Sequence, residues 1–289
     1  MKIQTNIQDN YKAGIFFIIM ASLGMALSAV FVKQVRHLPL MEIIFFRNLP
    51  TMIIVPIILK KMNISLFGNN KPMLWFRGFI GVLAMITTFY TFTAMPLTDA
   101  TTIQQLRPFF IFFFSGIFLK EKLYFRQILF FLFAFLGGLL VIKPGLSADI
   151  FPAMMGLLAA IFSAAAHIAV RYLRLTDHHL VIINYLAYFS GLISLMILLF
   201  QKSFILPNLS DFFILIVLGL VAFAAQIFLT KAYQVTPANL VSLYTYSQII
   251  FAIILGFLFF KEIPDILSAC GAGFIILSGY LNYRFKVNN

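Results

Sequence analysis

Ten apolar stretches follow one another along this chain, separated by short polar breaks. They run near residues 13–35, 40–59, 73–94, 98–119, 126–143, 152–173, 180–200, 209–230, 237–260 and 264–284. A helix needs about 20 apolar residues to cross a bilayer, so each stretch is predicted to be a membrane-spanning helix. Connections are short and leave no room for a soluble domain. Pro50, Pro56 and Pro108 fall inside predicted spans, where neighbouring helices can satisfy the backbone groups a proline frees. The expected fold is an all-α polytopic membrane protein.

Composition agrees with the pattern. Of 289 residues, 62% are hydrophobic and 10% are charged, with a mean hydropathy of +1.00. A soluble domain is about half apolar and about a quarter charged. The net charge of +12 does not point to nucleic acid, because the charges sit singly or in pairs between apolar runs and form no basic stripe or tail. "ALSA" (Ala26–Ala29) resembles a signal-peptidase site, but the run from Ala13 to Val32 exceeds the usual h-region of about 7–15 residues and is read as a permanent span. Cys270 is the only cysteine, which excludes an intrachain disulfide and a cysteine zinc site.

Charge also sets orientation. With the N-terminus inside, the cytoplasmic ends carry 14 basic residues, Arg77 among them, and the opposite ends carry five, including Lys33. Arg47 and Arg107 fall within spans. Both termini are therefore expected on the cytoplasmic side of the inner (plasma) membrane.

Two halves echo each other. "AMPLTDA" (Ala94–Ala100) corresponds to "AYQVTPA" (Ala232–Ala238), and "VFVK" (Val30–Lys33) to "IAVR" (Ile168–Arg171), both at an offset of 138. "SGIFLKE" (Ser115–Glu121) corresponds to "GFLFFKE" (Gly256–Glu262) at 141. These matches divide the chain into five spans over 13–143 and five over 152–284. Five is odd, so the second half must enter the membrane inverted, as in secondary transporters with a midplane site between repeats.

The residues that carry these echoes resemble the drug/metabolite transporter superfamily, EamA type. "PLTDATTIQQLRPFFIFFFSGIFLKEKL" (Pro96–Leu123) is similar to that family's fourth-helix signature. "EIIFFR" (Glu42–Arg47), "WFRGFIGVLAMITTFY" (Trp75–Tyr90) and "GGLLVIKPG" (Gly137–Gly145) resemble its second and third helices and the close of its first half. The resemblance covers 13–284 and implies a ten-helix carrier with a central cavity, working by alternating access on amino-acid-like, nucleoside-like, vitamin or drug molecules. Uptake or exchange carriers, S-adenosylmethionine-type uptake among them, and exporters are all found in such a family. One departure stands out: "YSQIIF" (Tyr246–Phe251) has Ile249 where the first half has Pro108, so the two halves are not expected to kink alike.

Polar residues inside spans are candidates for the substrate path. Arg107 lies nine residues past Thr98, about 14 Å into the bilayer at 1.5 Å per residue. An arginine at a helix centre costs about 2.5–3.5 kcal/mol on insertion scales, so Arg107 is expected to face a wet cavity or a partner. Pro108 loosens the helix near Gln104 and Gln105, which can supply hydrogen bonds. Arg107 can grip an anionic group in a bidentate fork, or pair internally with Glu42 or Asp99. Arg47 serves either an access path or a structural salt bridge, although Glu42 is not a clean i, i+4 partner. Lys33 is expected to snorkel.

His167 could couple transport to protons, or be a hydrogen-bonded packing residue. Tyr244 and Gln248 in the ninth span, and Tyr90 beside Thr87 and Thr91 in the third, complete the proposed substrate-binding set. Trp75 is a candidate interfacial anchor. His178 and His179 beside Asp177 form no convincing metal set, and no metal or cofactor is expected. Ala134 with Gly138, and Ala269 with Gly273, form small-xxx-small pairs that permit close helix contact within the chain or in a homodimer.

No acid lies deep in a span, which disfavours a buried-carboxylate proton or sodium relay. No paired acids, Ser/His or Cys/His set lies in a span either, so an enzyme is not expected. The reading is a carrier in the lipid bilayer for a small, anionic or zwitterionic metabolite. A drug or metabolite exporter of the same fold is the alternative, and a membrane scaffold the more distant one.

Overall fold

The computed structural model describes residues 11–118, 125–142, 150–236, 241 and 244–287. Lys2, Lys120, Glu121, Lys122 and Lys143, charged residues of the predicted span ends, lie outside the described residues. Every regular element among the described residues is helical. The order is α1 (Tyr11–Gln34), α2 (Leu40–Lys61), α3 (Lys71–Ala94), α4 (Leu97–Gln104), α5 (Arg107–Phe118), α6 (Phe125–Ile142), α7 (Phe151–Leu173), α8 (His179–Gln201), α9 (Leu209–Val235), α10 (Ser247–Phe260) and α11 (Ile266–Val287). Six of them, α1, α2, α3, α7, α8 and α9, are long and apolar enough to cross a membrane.

Helix starts follow local chemistry. The Asn70 side chain accepts from Met73 N at 3.3 Å ahead of α3, and Asn208 accepts from Asp211 N at 2.8 Å ahead of α9. Each bond satisfies one of the N–H groups that a first helical turn leaves open. Pro50 and Pro56 sit inside an unbroken α2.

The fourth and ninth predicted spans are both interrupted. Between α4 and α5, Leu106 N bonds back to Ile103 O at 3.0 Å and Phe109 N to Leu106 O at 3.1 Å, a tighter i→i+3 winding. Pro108 has no N–H to offer the carbonyl of Gln104, which explains that break. The ninth span breaks at Thr245–Tyr246 without any proline, where Gln248 N bonds Thr245 O at 2.9 Å and Ile249 N bonds Tyr246 O at 3.0 Å. There the Ser247 hydroxyl donates to Tyr244 O at 2.7 Å. The expectation of unlike kinks is thus corrected: both spans are interrupted at corresponding places, although only the first has a proline there.

Packing partners come in matched pairs. The helix α1 lies on α9 and α3 on α7; α2 packs on α9 and α3 on α8; α1 meets α10 and α7 meets α5. The pairs α2–α8 and α6–α11 complete the set. Close approach needs small residues. A Cβ on Gly219 would lie 2.6 Å from Pro50 Cγ, so its absence lets α9 lie against α2. A Cβ on Gly137 would lie 2.7 Å from Gly271 O, which makes Gly137 the close-contact residue between α6 and α11. The expected pair on α11 is not used this way, since Ala269 and Gly273 both face outward.

The α2–α3 loop is tied to the α7–α8 loop by Asp177. Its carboxylate accepts from Asn69 N at 2.6 Å and Asn70 N at 3.2 Å. Gly68 makes room with a φ of 62°, and a Cβ there would lie 2.4 Å from Asp177 Oδ1. His178 caps α8 by accepting from Leu180 N at 3.3 Å. Burial and the charge of Lys231 hold its ring below the ordinary histidine range, which keeps Nδ1 free to accept.

Candidate functional site

A cavity of about 120 Å³ lies within the bundle, lined by residues of α1, α2, α3, α4, α5, α7, α8, α9 and α10. Room for one water needs only about 15 Å³, so several waters or part of a small metabolite can enter. Its cationic groups are Arg47 from α2, Arg77 from α3 and Arg107 from the first turn of α5. Ser163 and His167 of α7, Gln226 of α9 and Gln248 of α10 line the same cavity. Gln104 ends α4 at the same cavity, and Met25, Met85, Phe89 and Phe92 supply apolar wall.

The arginines are poorly compensated. Arg107 is 7% exposed, and its Nε and Nη2 have no hydrogen-bond partner. Arg77 is 3% exposed with its Nε unpartnered. Arg47 is half-buried; its Nη1 donates to Asn48 Oδ1 at 3.1 Å and its guanidinium lies 5.7 Å from the Phe89 ring centre, but its Nε is unpartnered. Among the described residues none of the three makes an ion pair. Glu42, weighed as a partner for Arg47 or Arg107, is fully buried elsewhere and accepts from Ile205 N at 3.1 Å.

Arg77 was assigned from the sequence to the cytoplasmic end of its helix; it lies instead in the bundle interior. Gly81, one turn on, allows this, since a Cβ there would lie 2.3 Å from Arg77 Nη1 and 2.5 Å from Leu186 Cδ1. Gln226 and Ser163 are further cavity residues that the sequence did not single out. The i, i+4 pairing of an arginine with a glycine was the one available signal for Arg77.

Of the residues proposed for the substrate path, Arg107, Gln104, Gln248, His167 and Arg47 share this cavity. His167 stacks on Tyr233 with ring centres 4.8 Å apart, leaving Nδ1 unpartnered. Gln105 is fully buried and bridges the two broken spans: its Nε2 donates to Gln248 Oε1 at 3.0 Å and its Oε1 accepts from Thr245 at 3.1 Å. Pro108 is buried behind Arg107 in the first turn of α5. Tyr90 lies outside the cavity wall, edge-on to Phe151 at 5.7 Å, and Tyr244 packs in the core beside α10. Thr87 and Thr91 bond their own helix, to Leu83 O at 2.8 Å and Thr87 O at 2.7 Å, while Thr88 lines the cavity.

Lys33 does not snorkel. It is 7% exposed, paired with Glu262 and bonded to Met95 O at 3.3 Å, and Glu262 also accepts from Leu97 N at 2.9 Å. This knot joins the ends of α1, α3, α4 and α10. At residues 138 further on, Arg171 donates to Tyr233 O at 3.4 Å as Lys33 does to Met95 O. Trp75 is exposed and meets Phe189 edge-on at 5.0 Å.

A multi-pass helical bundle whose spans break around a buried polar cavity defines a membrane transporter. The chain matches the EamA-like transporter family over residues 12–143 and 150–284, and it belongs to that family, which has two repeats and comprises transporters rather than enzymes. It is 31% identical over 273 residues to a pseudopaline exporter of Pseudomonas aeruginosa, covering 93% of this chain and 95% of that protein. It is 32% identical over 283 residues to a member of solute carrier family 35 from Mus musculus, covering 92% and 76%. An S-adenosylmethionine uptake transporter of Rickettsia prowazekii is 24% identical over 269 residues, covering 92% and 90%. A solved crystal structure superimposes with a TM-score of 0.64 at 16% identity, covering 95% of this chain and 96% of its own, a likeness of fold.

Proposed function

We propose that this protein is a secondary transporter of the inner membrane that carries a small anionic or zwitterionic metabolite by alternating access. Arg107 carries the reading: a buried guanidinium with two unpartnered nitrogens, aimed at a cavity wide enough for water. Leaving such a charge in hydrocarbon is costly, whereas an arriving carboxylate can take both nitrogens at once. The N-terminal end of α5 adds its own partial positive charge at the same place. Gln104, Gln248 and His167 orient the rest of the ligand.

The repeats are inverted in this reading, and both chain ends face the cytoplasm. The matched packing pairs and the paired breaks at Gln105–Leu106 and Thr245–Tyr246 support an inverted duplication. The Lys33–Glu262 knot closes one end of the path, and Arg171 with Tyr233 O and Thr236 O closes the other. Breaking one as the other forms would expose the cavity to each side in turn. No described acid lines the cavity, which favours exchange or uptake down a gradient over proton or sodium coupling. Export is the second reading, favoured by the 31% identity to an exporter.

Counterflow in proteoliposomes tests the proposal. Wild type loaded with unlabelled metabolite accumulates labelled metabolite, and Arg107→Gln and Arg107→Lys at matched incorporation lose affinity at least tenfold. Normal affinity in both variants overturns the role of Arg107.

A further inference from the structure

Three guanidinium groups meet one cavity, and all three come from the first half. The offset of 138 places Tyr185 and Leu215 opposite Arg47 and Arg77, and Ser247 falls where the break of the first half has Arg107. The second half contributes Ser163, His167, Gln226 and Gln248 instead, which are neutral hydrogen-bonding groups. The cationic groups of the cavity thus come from one half alone, and the second half adds only neutral ones.

The cationic set is built, not incidental. Arg77 depends on the missing side chain of Gly81 to reach its place, and Arg47 is held by Asn48 and by the face of Phe89. Each guanidinium keeps an Nε without a partner. All three arginines line the same cavity as His167. A monoanion would neutralise one of these three like charges and leave two uncompensated in the same cavity. A buried cation without a counter-charge is unstable, so the site is complementary to more than one negative group.

We infer that the cavity takes a metabolite with two or more oxyanion groups, carboxylate or phosphate, and that Arg47 and Arg77 form a second anion subsite beside Arg107. This rests on the cavity being the substrate path. The rest of the ligand meets Ser163, Gln226 and Gln248, and its carbon skeleton lies on Phe89, Phe92 and Met85.

Affinities of the purified, full-length protein for tricarballylate, succinate, phosphoglycolate, acetate and glycine, measured by thermal shift at low ionic strength, test this. At least one polyanion binds tenfold or more tightly than acetate and glycine, and tricarballylate against phosphoglycolate tells carboxylate from phosphate. Arg47→Gln and Arg77→Gln each weaken that polyanion at least tenfold while leaving acetate within twofold. Gly81→Ala keeps the charge but displaces Arg77, and weakens the polyanion in the same direction even if Arg77→Gln fails to fold. Acetate or glycine binding as tightly as every polyanion overturns the inference, as does polyanion binding within twofold of wild type in Arg47→Gln, Arg77→Gln and Gly81→Ala. Counterflow of the same probes separates the two readings. Polyanion exchange lost in Arg107→Gln but unchanged in Arg47→Gln and Arg77→Gln keeps the carrier and removes the second subsite. Polyanion binding without exchange of any probe keeps the subsite and removes the carrier.

Discussion

Gln105 ties the break of the first half to that of the second, and Gln105→Met removes its hydrogen bonds while keeping its length. Two hydrogen bonds are lost, to Gln248 at 3.0 Å and from Thr245 at 3.1 Å. Interhelical side-chain hydrogen bonds in membrane proteins average about 0.6 kcal/mol and reach about 1.7, so the pair contributes about 1–3 kcal/mol. Gln248 lines the cavity and can recover with water, which Thr245, 1% exposed, does not reach. The lower half of that range, about 1–2 kcal/mol, is expected. Equilibrium unfolding of Gln105→Met, Gln248→Met and the double variant in mixed micelles measures it. The coupling between positions 105 and 248 is expected at about 0.5–1.5 kcal/mol, above the ~0.3 kcal/mol scatter of independent sites. Strict additivity, or a Gln105→Met as stable as wild type, would refute the bridge.

Gly219→Ala is expected to cost about 1–3 kcal/mol in unfolding, because the new methyl meets the rigid Pro50 ring and Phe46 O, neither of which can swing aside. Asp177→Asn weakens two backbone-to-carboxylate bonds and should cost about 1–3 kcal/mol, with faster protease cutting in the α2–α3 and α7–α8 loops. Lys33→Met leaves Glu262 without its cation and should lower the melting temperature more than Lys33→Met combined with Glu262→Gln, since losing one partner of a buried pair costs more than replacing both.

Length and hydropathy made the helical, membrane-spanning character legible, because a run of about 20 apolar residues has few other uses. Arg107 and Pro108 announced the break and the cavity together, one by its cost in lipid and the other by its missing N–H. The partner break did not show, since it has no proline and a change of backbone winding leaves no trace in hydropathy. Arg77 was misplaced for a similar reason. Near a helix end, a basic residue follows the positive-inside pattern whether it points to solvent or inward, and only Gly81 records the difference. The pairing of Lys33 with Glu262 spans 229 residues of sequence, and no local pattern carries such a contact.

The central claim is a water-filled, anion-attracting chamber inside the bundle, and thiol labelling reads it directly. Cys270 is the sole cysteine, so Cys270→Ser gives a clean background for Ser163→Cys on the chamber wall and Phe200→Cys, where the side chain is 91% exposed on the outside of the bundle. In proteoliposomes, an anionic methanethiosulfonate should modify position 163 faster relative to its cationic counterpart than it modifies a free thiol in solution, and Arg107→Gln should reduce that preference. Modification of position 163 only by a lipid-soluble maleimide, or a charge preference that Arg107→Gln leaves unchanged, would contradict the account.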